Sequence, residues 1–214
     1  VIAPEYGPPA TKADYWIPVR PNTDTALLLG ITKILIDEKK YDAKFVKRFT
    51  DFPLLVRTDT LKRLQPQDFI ADYKPRDITK GPSMTRHGLT DEQRDKVGDF
   101  VVWDAKSSKP VPVTRDDVGD VFDKLGIDPA LEGKFEVKLT DGKTAEVMPL
   151  FEMYKIHLKD YDLDTVHEIT HSPKDLVRQL ADDFATIKPA AIHQGEGINH
   201  WFHATEMNRA MYLP

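Results

Sequence analysis

Apolar positions follow helical spacing at the two ends of the chain and short alternating runs in the middle. Behind Pro21, Asn22, Thr23 and Asp24, the residues Leu27, Leu28, Ile31, Ile34 and Leu35 recur at helical spacing, and the pattern stops at Asp37-Glu38-Lys39-Lys40. This predicts a helix whose first-turn amides Thr23 or Asp24 can cap. A second helix is predicted over 43–49. From about Lys74 to Lys96 the chain turns polar, with Pro75, Gly81, Pro82 and Gly88 and no face to bury, which reads as a surface loop. Residues 99–114 read as two short strands around Ser107-Ser108. Residues 134–147 read as a hairpin, for which Asp141-Gly142 is a type I′ turn signal. The last third returns to helices, over 165–170 and over 174–186 behind a Ser172 cap. The apolar run Ala190-Ala191-Ile192 then reads as a strand, followed by a loop with Gly195 and Gly197 and a helix over 199–212. The opening Val1-Ile2-Ala3-Pro4 also reads as strand.

The expected fold class is therefore α/β, with strand-loop-helix segments at both ends and a β-rich insertion in the middle. The expected division is 1–73 for the first α/β segment, 74–150 for the loop and hairpin insertion, and 151–214 for the second α/β segment.

Composition narrows the chemistry. With 40% hydrophobic and 30% charged residues among 214, the chain has the make-up of a globular protein, and 16 prolines point to long irregular connections. The formal net charge of -5 argues against a nucleic-acid partner, which needs an excess of Lys and Arg. No apolar run approaches the roughly 20 residues of a membrane-spanning helix, and no basic-then-apolar leader opens the sequence. The absence of cysteine removes disulfides, thiolate metal sites, cysteine nucleophiles and iron-sulfur ligation within this sequence. The missing initiator methionine and the abrupt end at Leu213-Pro214 fit an internal piece of a longer chain.

Three constellations carry candidate chemistry. His167-Glu168-Ile169-Thr170-His171 matches the helical zinc-hydrolase pattern. Pro173 follows at once and no third ligand stands on a second helix, so the alternative is two histidines at a helix end, where an imidazolium suits the dipole. Gly195-Glu196-Gly197 lies between an expected strand and an expected helix, where small residues let backbone amides approach a phosphate or pyrophosphate; the alternative is a simple turn. Asn199, His200, Trp201, His203 and Arg209 add polar groups able to grip an anion. Finally, Arg20-Pro21-Asn22-Thr23-Asp24 places a hydroxyl and a carboxylate at a helix start, either as a plain cap or as ligand contacts.

Taken together, ADYWIPVRPNTDTALLLG (13–30) and PAAIHQGEGINHWFHATEMNRA (189–210) resemble the bis-molybdopterin guanine dinucleotide oxidoreductases, the dimethyl sulfoxide reductase family. The second segment, with FTDFPLLVRTDTLKRL and DFVVWDAKSSKPVPVT between them, is similar to the branch of respiratory nitrate reductase and nitrite oxidoreductase catalytic subunits. The resemblance implies that Thr23 and Asp24 sit by the guanine end of one cofactor half. It also implies that Gly195, Gly197 and Asn199 line the other half and that His200 approaches the pterin. Two positions depart from the family pattern: Asn22 replaces a glycine, and Ala3 replaces an aspartate, a ribose contact that Glu5 would have to supply. The parent activity so implied is interconversion of nitrite and nitrate at molybdenum. Molybdenum and iron-sulfur ligands would lie outside this chain, electrons would pass to an iron-sulfur partner subunit, and membrane association would come through other subunits. No residue here is expected to ligate a metal. The alternatives are a stand-alone nucleotide-binding module and, from the histidine motif, a zinc hydrolase.

Overall fold

A computed structural model describes residues 1–75, 98–114, 117 and 119–214. They form two compact units, Val1–Tyr41 with Lys155–Pro214, and Asp42–Tyr154. Helices and sheets are mixed, as the α/β expectation required.

In the first unit the central element is α1 (Asp24–Asp37), buried on every side from Ala26 to Thr32. Leu27, Ile31, Ile34 and Leu35 pack with Val19 and with Val166, Val177 and Ala181. The last three come from α6 (Leu163–Thr170) and α7 (Lys174–Thr186), which lie along α1 together with α8 (Ala204–Ala210). A helix with so wide an apolar surface is stable only inside such a cage, because each buried Leu or Ile contributes roughly 1.5–3 kcal/mol. The C-terminal end of α1 is tied to α7 by ions: Lys40 bonds Glu38 and Asp182 at 2.5 Å, and Arg178 bonds Glu38 at 2.5 Å. Hydrogen bonds from Lys40 and Arg178 hold the Glu38 carboxyl down at about 2.

The second unit opens with α2 (Ala43–Phe49), where Asp42 caps the Phe45 amide at 2.9 Å. Next come β1 (Leu55–Arg57) and α3 (Pro66–Phe69). The hairpin of β2 (Phe100–Asp104) and β3 (Lys109–Val113) pairs Phe100 with Val113 and Asp104 with Lys109. After α4 (Val121–Leu125), β4 (Phe135–Lys138) and β5 (Thr144–Pro149) complete an antiparallel sheet of order β1-β5-β4. Then α5 (Leu150–Leu158) carries the chain out of the unit. Strand alternation sets the core: Leu54 and Val102 join one cluster with Phe122, while Leu55 and Val101 join another with Val137 and Val147.

Both expected hairpins form, but the turn at Asp141-Gly142 is not type I′. The Gly142 amide bonds the Leu139 carbonyl at 3.0 Å, the Leu139 amide bonds the Lys143 carbonyl at 2.7 Å, and only Gly142 takes a positive φ, 84°. That is a type I turn closed by a left-handed residue; a type I′ turn needs two positive φ values.

Other sequence expectations also shift. Thr23 occupies the cap position of α1 without capping, because its hydroxyl donates to the Arg20 carbonyl at 2.6 Å. Ser172 does not cap α7. Its buried hydroxyl donates to the Pro18 carbonyl at 2.7 Å, and Pro173 takes the cap position. The opening strand is reduced to one parallel bridge, Ile2 with Ile17. No strand forms at Ala190-Ala191-Ile192: the three residues are exposed, and a strand needs an edge to pair with. The helix expected over 199–212 splits into a 3-10 turn, Glu196–His200, and α8, because His203 turns left-handed at φ 65°. The polar stretch read as a surface loop lies, from residue 76 on, outside the described residues.

Candidate functional site

The first candidate segment is locked to the helices behind it. The Arg20 amide donates to the Thr170 carbonyl at 2.8 Å, and the Arg20 guanidinium lies against the His171 ring. Asn22 then takes φ 70°, in the left-handed region. Glycine reaches that region freely, and among side-chain-bearing residues Asn tolerates it best, so the departure Asn22 from a family glycine is conformationally mild. We expect Asn22→Gly to leave the melting temperature nearly unchanged and Asn22→Val to lower stability by about 1–2 kcal/mol, measured by urea unfolding. Equal stability of both variants would count against this account.

The turn delivers Asp24 to the first position of α1, half-buried. Burial pushes its carboxyl above the ordinary range, opposed only by its own backbone amide. No basic side chain pairs with it among the described residues. A carboxylate partly withdrawn from water and without a cation is costly unless something else supplies donors.

The second candidate segment, Gly195 to His200, is exposed apart from half-buried Ile198. A Cβ added at Gly195 or Gly197 would meet nothing within 4 Å, and neither residue has a positive φ. The fold of this chain therefore does not need glycine there. His200 faces the Glu196 carboxylate at 3.5 Å. Asn199 is held by α8: its Oδ1 accepts from Asn208 Nδ2 at 2.8 Å, while Asn208 Oδ1 accepts from Gln194 Nε2 at 3.0 Å. Both candidate segments lie in the first unit, and α8 packs on α1. Sequence reasoning singled out neither Asn208 nor Gln194. No motif marks them, since an amide placed on a helix to brace a preceding loop leaves no periodic signal.

The histidine pair is engaged separately. His171 caps α6 in a left-handed conformation, φ 61°, and lies on Arg20, whereas His167 Nδ1 sits 2.8 Å from the Ser172 carbonyl. A left-handed cap takes His171 out of the helical register that a two-histidine metal motif requires. Among the described residues no group of three or more His, Asp or Glu is arranged to hold a metal, and no helix is long and apolar enough to cross a membrane.

The candidate polar residues of both segments are thus gathered into one unit of the α/β scaffold. Residues 1–212 match the Molybdopterin oxidoreductase family, and the chain belongs to it. It is 36% identical over 99% of its length to perchlorate reductase subunit alpha of Dechloromonas aromatica, covering 23% of that protein. It is 31% identical over 98% to respiratory nitrate reductase subunit alpha of Haloferax mediterranei, covering 20% of that protein. To chlorate reductase subunit alpha of Ideonella dechloratans it is 33% identical over 99%, again covering 20%. The chain thus spans about a fifth of the length of these relatives. Acetylene hydratase from Pelobacter acetylenicus aligns over 100% of the chain and 16% of its own, with a TM-score of 0.49 and 20% identity.

Proposed function

We propose that this chain is an internal part of the catalytic subunit of a molybdenum oxidoreductase that interconverts nitrite and nitrate, and that it binds the guanine dinucleotide form of the molybdopterin cofactor. The observation that carries the reading is Asp24, a half-buried carboxylate without a basic partner among the described residues. A guanine edge offers two adjacent donors to the two oxygens of such a carboxylate, giving two charge-assisted hydrogen bonds. Thr23 stands beside it, and Gly195, Gly197, Asn199 and His200 would contact the other cofactor half. When bound, the group supplies the two-electron exchange that joins water oxygen to nitrite, releasing two protons and two electrons, or the reverse. Electrons would leave through an iron-sulfur cluster elsewhere in the parent chain to a partner subunit. A nitrate reductase and reductases of two further oxoanions among the relatives support a small oxoanion substrate.

The test is Asp24→Asn in the catalytic subunit that carries this sequence. It turns one acceptor towards a donor, and guanine-cofactor retention should weaken by roughly 1.5–3 kcal/mol. Without cofactor the same change should be neutral or stabilising above pH 7, because a carboxyl whose folded value is raised destabilises the fold once it ionises. Unchanged cofactor content under limiting supply would return Asp24 to a purely local role. Turnover of perchlorate or chlorate without any of nitrate or nitrite would replace the substrate pair.

A further inference from the structure

We infer that Asn208 is a positioning residue that fixes which face Asn199 presents to the cofactor, making Asn199 a hydrogen-bond donor to phosphate oxygens. This rests on the cofactor reading above. The argument starts from the Ala204 carbonyl, which can only accept. Asn208 Nδ2 donates to it at 2.8 Å, so the NH2 end of Asn208 is identified without ambiguity. The same NH2 donates to Asn199 at 2.8 Å, so Asn199 must turn its oxygen inwards. The Asn199 amide NH2 is then left to face something other than Asn208, and no partner for it is found among the described residues. At its other end Asn208 accepts from Gln194, one residue before the glycines, so a single side chain braces both flanks of Gly195–Gly197.

The polarity matters because phosphate oxygens accept and do not donate at neutral pH. An unbraced Asn199 could offer either end; braced as it is, it offers the matching one before the ligand arrives, which removes part of the ordering cost of binding. Gln194 and Asn199 are exposed and Asn208 is half-buried, so these bonds add little to the fold itself.

The experiment compares wild type with Asn208→Leu, Asn208→Asp, Asn199→Ala, Gly197→Val and the double variant Asn199→Ala/Asn208→Asp in the cofactor-loaded catalytic subunit. The readouts are molybdenum and guanine content after dialysis, together with the melting temperature of the cofactor-free protein. Asn208→Leu removes the brace and should lower retention about tenfold. Asn208→Asp should do worse, because its carboxylate draws the Asn199 NH2 inwards and turns the oxygen towards phosphate. Adding Asn208→Asp to Asn199→Ala should cost nothing further, and melting should stay within about 2 °C of wild type throughout. Normal retention in both Asn208 variants, with losses in Asn199→Ala and Gly197→Val, would overturn the inference and leave the cofactor reading standing. Normal retention in every variant would remove the glycine-loop cradle itself, and the inference with it. A loss in the Asn208 variants that only follows a lowered melting temperature, or that persists undiminished on top of Asn199→Ala, overturns it as well.

Discussion

Gly30→Ala should destabilise the first unit by about 2 kcal/mol, although in an ordinary helix interior the same change stabilises by about 1 kcal/mol. The reason is a close helix crossing. A Cβ on Gly30 would stand 2.5 Å from Val166 Cγ2 and 3.4 Å from Val166 Cβ and Cγ1. Val166 is fully buried, 0% exposed, and its branched side chain on α6 has one strongly preferred rotamer, so it cannot swing aside. The crossing helices must part instead, loosening Leu27, Ile31 and Val177 in the same cluster. Urea unfolding should show the loss, and Val166→Ala should recover part of it, with a coupling of at least about 1 kcal/mol in the double-mutant cycle. Additive effects would mean that α1 and α6 do not meet at this pair.

Asp104→Ala should cost the second unit about 3 kcal/mol. Asp104 is 5% exposed and organises the turn between β2 and β3 as well as the segment after α4. One oxygen accepts from the Asp128 amide at 2.9 Å and the Lys106 amide at 3.2 Å, the other from the Ser107 amide at 3.0 Å and its hydroxyl at 2.6 Å. Removing the carboxylate strands these donors, and hydrogen bonds to a charged group contribute roughly 1.5–3 kcal/mol each. Asp104→Asn should recover little, since either amide orientation points its NH2 at a pair of donors. The effect carries a pH signature. Burial alone would raise the Asp104 carboxyl, but the Ser107 hydroxyl and the three amides outweigh it and hold it at about 2. A depressed folded value stabilises above the unfolded value near 4 and is lost as pH falls towards 2. The gap between wild type and Asp104→Ala should therefore be full at pH 7 and narrower at pH 3. A gap independent of pH would show that packing, not the charge, is at stake.

How much of this was legible beforehand depends on whether the deciding forces are local. Helix α2 has the bounds expected of it, 43–49, because the forces that set it are local: the Asp42 cap that the structure shows is adjacent to its run of residues. Both hairpins were read from alternation and turn residues. The strand at Ala190-Ala191-Ile192 was not safe to read, since an apolar triplet becomes a strand only if a partner edge exists. The Ser172 cap failed for a similar reason: a serine before a helix is a good cap until a carbonyl distant in sequence, here that of Pro18, takes its hydroxyl. At the candidate site, Thr23, Asp24, Gly195, Gly197, Asn199 and His200 were named from motif likeness. Which of them are buried, braced or open could not be read, because that depends on α8 and on the left-handed turns at Asn22 and His203.

The make-up of the first unit from both ends of the chain has a kinetic side. Its central helix leaves the ribosome before Asp42–Tyr154, yet the helices that bury Leu27, Ile31 and Leu35 arrive only after all of that segment has been made. The second unit is continuous in sequence and can collapse while α1 still waits with its apolar faces uncovered. Closing the first unit over that long interval costs little more than closing it over a shorter one, since the entropy grows only with the logarithm of loop length. The exposure lies in time: a largely apolar helix awaiting distant partners is open to misassociation during synthesis.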